Sequence, residues 1–266
     1  MAFAVVTLTV IAVIAAKGGV GKTTLAACLC TALAERGSRV VAIDLDPQNA
    51  LRFHLIDRFQ PSDVGWAHAW IENCPWVDAM CAGRSGVLVL PFGTIDDEHQ
   101  MHIERYLSEL PNWLGETLAS FQLPNDTIVV LDTPPGSSAY LQQALRISHI
   151  NVVTLMADAG SFATLPLIER MVDKYCQPRI DFVANSYIVN QVDASKRLNR
   201  DVLQTLLSDL DPKVLGVVHE DQAVREALAA GVALQQYAPT CQAVWDLAVC
   251  TDQLMLRLSL AAVPAP

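Results

Sequence analysis

Short apolar runs recur along the chain, separated by longer stretches of mixed polarity. Residues 10–14, 40–43, 87–90, 128–131 and 152–156 contain no charged side chain. Continuous runs of this length are what strands buried on both faces require. Further strands are expected within residues 182–189 and 214–218. Between the first two runs, residues 23–36 place Leu25, Leu29 and Leu33 on one face of a helix, and Gly37 supplies a stop. Strand and helix alternate in this way from end to end. The pattern predicts an α/β fold: a mainly parallel sheet of about seven or eight strands with helices on both faces. With no repeat, linker or compositional break, one domain over residues 1–266 is expected. Residues 61–86 are the least regular, with Trp66, Trp70 and Trp76 among Gly, Pro and Asn; they read as short helices beside the sheet.

Composition narrows the picture. Of 266 residues 52% are hydrophobic and 17% charged, too apolar and too weakly charged for a disordered chain. A formal charge of −10 disfavours nucleic-acid binding, which relies on clustered Lys and Arg. Seven scattered cysteines form no C-x-x-C pair, so buried reduced thiols are expected rather than a zinc site or redox dithiol. Residues 1–16 are almost wholly apolar, like the core of a secretion signal. They lack its basic start and run straight into Lys17-Gly18-Gly19, so a buried first strand in a cytoplasmic protein is the expectation. No other stretch reaches the ~20 apolar residues of a membrane helix.

The chemistry begins after the first strand, at Ala16-Lys17-Gly18-Gly19-Val20-Gly21-Lys22-Thr23-Thr24. A glycine-rich loop between strand and helix turns backbone N–H groups toward phosphate oxygens, and the helix adds its positive end. Lys22 would neutralise β- and γ-phosphates, and Thr23 would give its hydroxyl to Mg²⁺. A dinucleotide fingerprint would need a small residue at Thr24 and would leave Lys22 unexplained, which argues against hydride transfer. The usual first glycine of the loop is Ala16 here, and an additional cation, Lys17, follows it. Lys17 sits too far back to duplicate Lys22 and could reach phosphates bound by a neighbouring subunit.

Lys17 to Thr23 resembles the K-G-G-x-G-K-[ST] loop of the ParA/MinD group of deviant Walker A ATPases. The resemblance implies an ATPase with ATP and Mg²⁺ as ligands, slow and partner-regulated, whose first lysine crosses a face-to-face dimer to the partner's ATP. It places Lys17, Lys22 and Asp46 in catalysis and the whole stretch from Lys17 through Gly18, Gly19, Val20, Gly21, Lys22 and Thr23 to Thr24 around the nucleotide. Asp44-Leu45-Asp46-Pro47-Gln48 is similar to the family's D-x-D-P-Q element, in which Asp46 would orient the attacking water and Asp44 would support magnesium through water. Asp132-Thr133-Pro134-Pro135-Gly136 is similar to its Walker B and switch II segment. There Asp132 would hold a magnesium-bound water, and the Gly136 backbone would sense the γ-phosphate. Asn190 stands where the family recognises adenine, with Asn185 a near rival and a solvent-facing turn residue the other reading. Residues 217–227 resemble the segment that closes over the base, without its usual proline.

Members of this group serve different cargoes. Sparse Lys and Arg weaken a DNA-partition reading. Residues 245–266 carry one basic residue, Arg257, so membrane contact would be indirect. Residues 65–70, 76–79, 90–93 and 219–237 resemble segments of the ATPases encoded with bacterial cellulose synthase, the BcsQ family; core packing is the other reading of the tryptophans. That resemblance implies an accessory factor that helps assemble or localise the cellulose synthesis and secretion complex. Its implied partners are a short helical protein (BcsR-like), a cytosolic regulator (BcsE-like) and the synthase complex, with recruitment to the inner membrane or cell pole through them. The alternatives are a ParA/MinD-like ATPase positioning DNA, division machinery or other cargo, and a scaffold that binds ATP without hydrolysing it.

Overall fold

The structure, a computed structural model, describes residues 8–56 and 64–261; expectations placed on residues 1–7, 61–63 and 262–266 lie outside the described residues. Eight strands form one sheet: β1 (Thr9–Ile14), β2 (Arg39–Asp44), β3 (Cys81–Ala82), β4 (Leu88–Leu90), β5 (Thr127–Asp132), β6 (Ile150–Met156), β7 (Ala184–Val192) and β8 (Val214–His219). Their order is β3-β4-β2-β5-β1-β6-β7-β8, parallel except for the β3–β4 pair. The strand β3 was not legible in sequence, because two residues at an edge carry no hydrophobic period. It lies in the irregular segment, which otherwise forms the expected short helices, including α3 below.

Helices α1 (Lys22–Glu35), α2 (Leu51–Leu55), α9 (Gln222–Ala230), α10 (Leu234–Tyr237) and α11 (Gln242–Ala261) belong to one face of the sheet. Helices α3 (Trp66–Ile71), α4 (Asp97–Glu109), α5 (Trp113–Ser120), α6 (Ala139–Ile147), α7 (Ala159–Tyr175) and α8 (Arg197–Leu210) belong to the other. Alternation along a strand explains the continuous apolar runs: Val10, Ala12 and Ile14 join one core, Ile11 and Val13 the opposite one. The expected amphipathic character of α1 is corrected. The helix is buried through Leu25–Leu33, because α2 and α11 cover the side turned away from the sheet. Arg257, the basic residue near the C-terminus, is spent on structure: its guanidinium donates to the Pro212, Lys213 and Val214 carbonyls and to Ser186 Oγ, fixing α11 to the β7–β8 edge. All seven cysteines are free. Cys28, Cys30, Cys176 and Cys250 are buried as expected, whereas Cys74 is exposed and Cys81 and Cys241 are half-buried. No helix among the described residues is long and apolar enough to cross a membrane.

His54, in α2, is enclosed beside Arg84, whose Nη1 donates to the His54 carbonyl at 2.6 Å. Burial, reinforced by the Arg84 charge, lowers the imidazole to about 4. Between that value and the ~6.5 of an unfolded histidine, the unfolded chain binds more protons. The stabilisation from keeping His54 neutral is therefore complete above pH 6.5 and is lost as pH falls from 6.5 to 4. After allowance for partial exposure it is on the order of 2 kcal/mol. In chemical denaturation between pH 4 and 7, His54→Asn should flatten this slope relative to the wild type; parallel profiles would contradict the assignment.

Candidate functional site

Three parallel strands end side by side, and the residues that follow them build the site. In register, Val13 of β1 lies beside Asp132 of β5, and Asp132 beside Asp44 of β2. The connection from β1 to α1 is the glycine-rich loop, so the N-terminus of a 14-residue helix opens at this edge of the sheet. Gly21 caps α1 in the left-handed region, φ +82°, and a Cβ there would stand 2.5 Å from Asn190 Nδ2. Both conditions demand glycine at that position. The segment after β5 lies across the start of this loop: Thr133 Oγ1 donates to the Val13 carbonyl at 2.9 Å and the Gly136 N–H to the Ala15 carbonyl at 3.0 Å.

Within this frame one lysine faces two carboxylates, and a third lies beside them. Lys22 Nζ, buried, lies 2.6 Å from Asp132 Oδ1 and 3.9 Å from Asp46 Oδ2. Asp44 is fully buried and accepts from the Asp46 N–H at 2.9 Å and the Leu51 N–H at 3.0 Å. The structure thus gives Asp44 the task of shaping the loop that presents Asp46, beside any indirect contact with a metal. Burial and the neighbouring Asp132 push Asp44 well above the usual carboxylate range. Burial also raises Asp132, against the opposing pull of Lys22. Asp132 Oδ2 is buried without a hydrogen-bond partner, and the Thr23 hydroxyl lies close enough to the carboxyl to help hold it down. An unpartnered carboxylate oxygen, a hydroxyl and surplus negative charge suit a small hard cation that keeps part of its water shell.

The second lysine lies apart from this cluster. Lys17 Nζ contacts Asp158 Oδ2 at 2.7 Å and Oδ1 at 3.0 Å, with both side chains about one-third exposed. Asp158 caps α7 by accepting from the Ser161 N–H at 2.7 Å. Its partial burial would raise the carboxyl, but hydrogen bonds from Lys17 and Ser161 hold it below the ordinary value. Sequence reading missed Asp158; the available signal was a capping residue directly after the β6 run, at the same edge of the sheet as the loop.

Beside the loop, Gly21, Thr24, Cys28, Asn190, His219 and Arg225 line a cleft open to solvent. Asn190 Nδ2 donates to the Val20 carbonyl at 2.8 Å, so the structure brings Asn190 to the loop. Asn185, near the opposite end of β7, instead donates to the Tyr187 hydroxyl. His219 also went unassigned in sequence. Its Nδ1 and backbone N–H both meet Asp246 Oδ2 at 2.9 Å, a contact made across 27 residues that no local pattern reveals.

The family model "Cellulose biosynthesis protein BcsQ" matches residues 8–254. The cellulose biosynthesis protein BcsQ of Escherichia coli K12 is 25% identical over 251 residues, covering 93% of this chain and 94% of that protein. Among solved structures, the septum site-determining protein MinD of Pyrococcus horikoshii, complexed with Mg-ADP, superposes with a TM-score of 0.74 at 21% identity, covering 96% of this chain and 99% of that one. A plasmid partition protein of Borrelia burgdorferi bound to AMPPNP gives 0.76 at 18% identity, covering 94% and 100%. Those two likenesses establish the shared fold, that of ParA/MinD-type P-loop nucleotide-binding proteins, and the family match over nearly the whole described chain goes further: this protein belongs to the BcsQ family of cellulose biosynthesis proteins.

Proposed function

We propose that the protein is a Mg-ATP-dependent ATPase switch that dimerises across two nucleotides and, in that state, helps assemble or localise the bacterial cellulose synthesis and secretion complex. The observation that supports this most is the meeting of Lys22, Asp46 and Asp132 at one sheet edge beneath a helix N-terminus. In this reading the loop amides from Lys17 to Thr24 cradle the phosphates, and Asn190 meets the base. Thr23 and Asp132 would hold Mg²⁺, Asp132 through water, with Asp44 supporting it likewise, and when bound the ion would supply positive charge against that developing on the transferred phosphoryl group. Asp46 orients the attacking water, and the Gly136 backbone registers the γ-phosphate.

The two lysines differ in what it takes to move them. Separating a buried pair without replacement costs about 3–5 kcal/mol, so Lys22 leaves Asp132 only for another anion, as phosphate provides. A pair one-third exposed costs about 1 kcal/mol or less, so Lys17 leaves Asp158 readily to reach a second molecule. Loss of the partner stimulus would leave turnover slow.

Lys17→Ala should abolish ATP-dependent dimerisation, read by light scattering, while nucleotide affinity by calorimetry changes about threefold or less. Unchanged dimerisation would overturn the role of Lys17. Asp46→Ala should retain nucleotide and lower phosphate release on the order of 100-fold. A wild-type protein that releases no phosphate over hours would be the non-hydrolysing scaffold instead. Affinity capture of tagged Asp46→Ala protein from its own cells in Mg-ATP, against a Lys22→Ala control, tests the cargo. Enrichment of cellulose synthase subunits or their small cytosolic partners supports the proposal; DNA-partition or division proteins in their place would move the cargo assignment to the ParA/MinD-like alternative.

A further inference from the structure

The loop carrying Asp46 is fixed by a residue that belongs to neither the nucleotide loop nor the switch segments. Trp66 is fully buried in α3, and its indole Nε1 donates to the main-chain carbonyl of Asp44 at 2.7 Å. The next amide is held from the other side, since the Leu45 N–H donates to the Asp132 carbonyl at 2.8 Å. One peptide unit, at the end of β2, is thereby clamped at both its oxygen and its nitrogen. The Asp44 carboxylate then takes the Asp46 N–H. The direction in which Asp46 leaves the strand is set by these contacts in series.

The indole is itself immobilised. Gly65, just before it, presses so closely on the chain after β4 that a Cβ there would lie 2.3 Å from the Phe92 carbonyl carbon and the Gly93 nitrogen. The Trp66 N–H donates to the Pro91 carbonyl and the Ala67 N–H to the Phe92 carbonyl, each at 3.0 Å. Around the ring, Trp76 stacks at 4.8 Å, Phe92 meets it edge-on at 4.7 Å, and Trp113 and Tyr140 close the cage at 5.9 and 6.2 Å. A buried indole N–H needs an acceptor, and the one it takes here is the backbone carbonyl beside the aspartates.

We propose that Trp66 is a positioning residue for the hydrolytic step, acting through the Asp44 carbonyl to hold Asp46 in line with the attacking water. This rests on the ATPase reading above. Removing the indole N–H frees the residue 44–45 peptide on one side while leaving the phosphate cradle untouched. Turnover should therefore fall without a matching loss of nucleotide affinity.

The test compares wild type, Trp66→Phe, and a chain with 3-benzothienylalanine at position 66, which keeps the bicyclic shape and replaces the N–H by sulfur. The expected result is kcat lowered about tenfold with KM for ATP within about twofold, and amide exchange across residues 45–51 faster by about tenfold. The benzothienyl chain should show these effects with a melting temperature close to wild type, and it decides the matter if the Phe variant unfolds. Unaltered kcat and exchange in that chain would overturn the proposal, as would a lower kcat and faster exchange that merely follow a fall in melting temperature. A wild type without turnover would refute the ATPase reading, while exchange across residues 45–51 would still decide whether the indole N–H holds the loop.

Discussion

The contact on which the site depends is the buried pair between Lys22 and Asp132, at 2.6 Å. Two carboxylates meet one buried ammonium group with the fully buried Asp44 alongside, and such a cluster is intrinsically unfavourable. It persists because the parallel register of β1, β5 and β2 carries the aspartates to one edge, where hydrophobic burial of the strands outweighs the local cost. Asp44 relieves part of the repulsion by accepting two backbone N–H groups, and Lys22 relieves part of the remainder.

Around that pair, hydrogen bonds to backbone carbonyls join the segments that follow the three strands. The segment after β5 is tied to β1 through Thr133 and Gly136, and the chain after β2 is tied to β5 through Leu45. The partly exposed Lys17–Asp158 pair stands outside this network. The site thus has a buried charged centre and a partly exposed ion pair at its rim.

The aromatic cluster extends the same network away from the nucleotide. Trp66, Trp76, Phe92, Trp113 and Tyr140 come from separate elements, yet their rings meet around the indole that grips the Asp44 carbonyl. Core packing and site geometry are consequently not separable here. The tryptophans do fill space, and one of them also orders the backbone from which Asp46 projects.

Much of this protein was legible in its sequence because the determinants are local. Continuous apolar runs announce buried parallel strands, the spacing of Gly19, Gly21, Lys22 and Thr23 announces a phosphate loop, and aspartates directly after strands announce the carboxyl edge. Backbone conformation and strand burial are fixed by neighbours a few residues away, so pattern suffices. Distant pairings were not legible. Lys17 finds Asp158 across 141 residues, His219 finds Asp246 on α11, the covering of α1 depends on helices from both ends of the chain, and the indole of Trp66 reaches a carbonyl 22 residues away. A side chain's partner over such separations is chosen by how strands order and helices pack, and that choice exists only once the chain has folded.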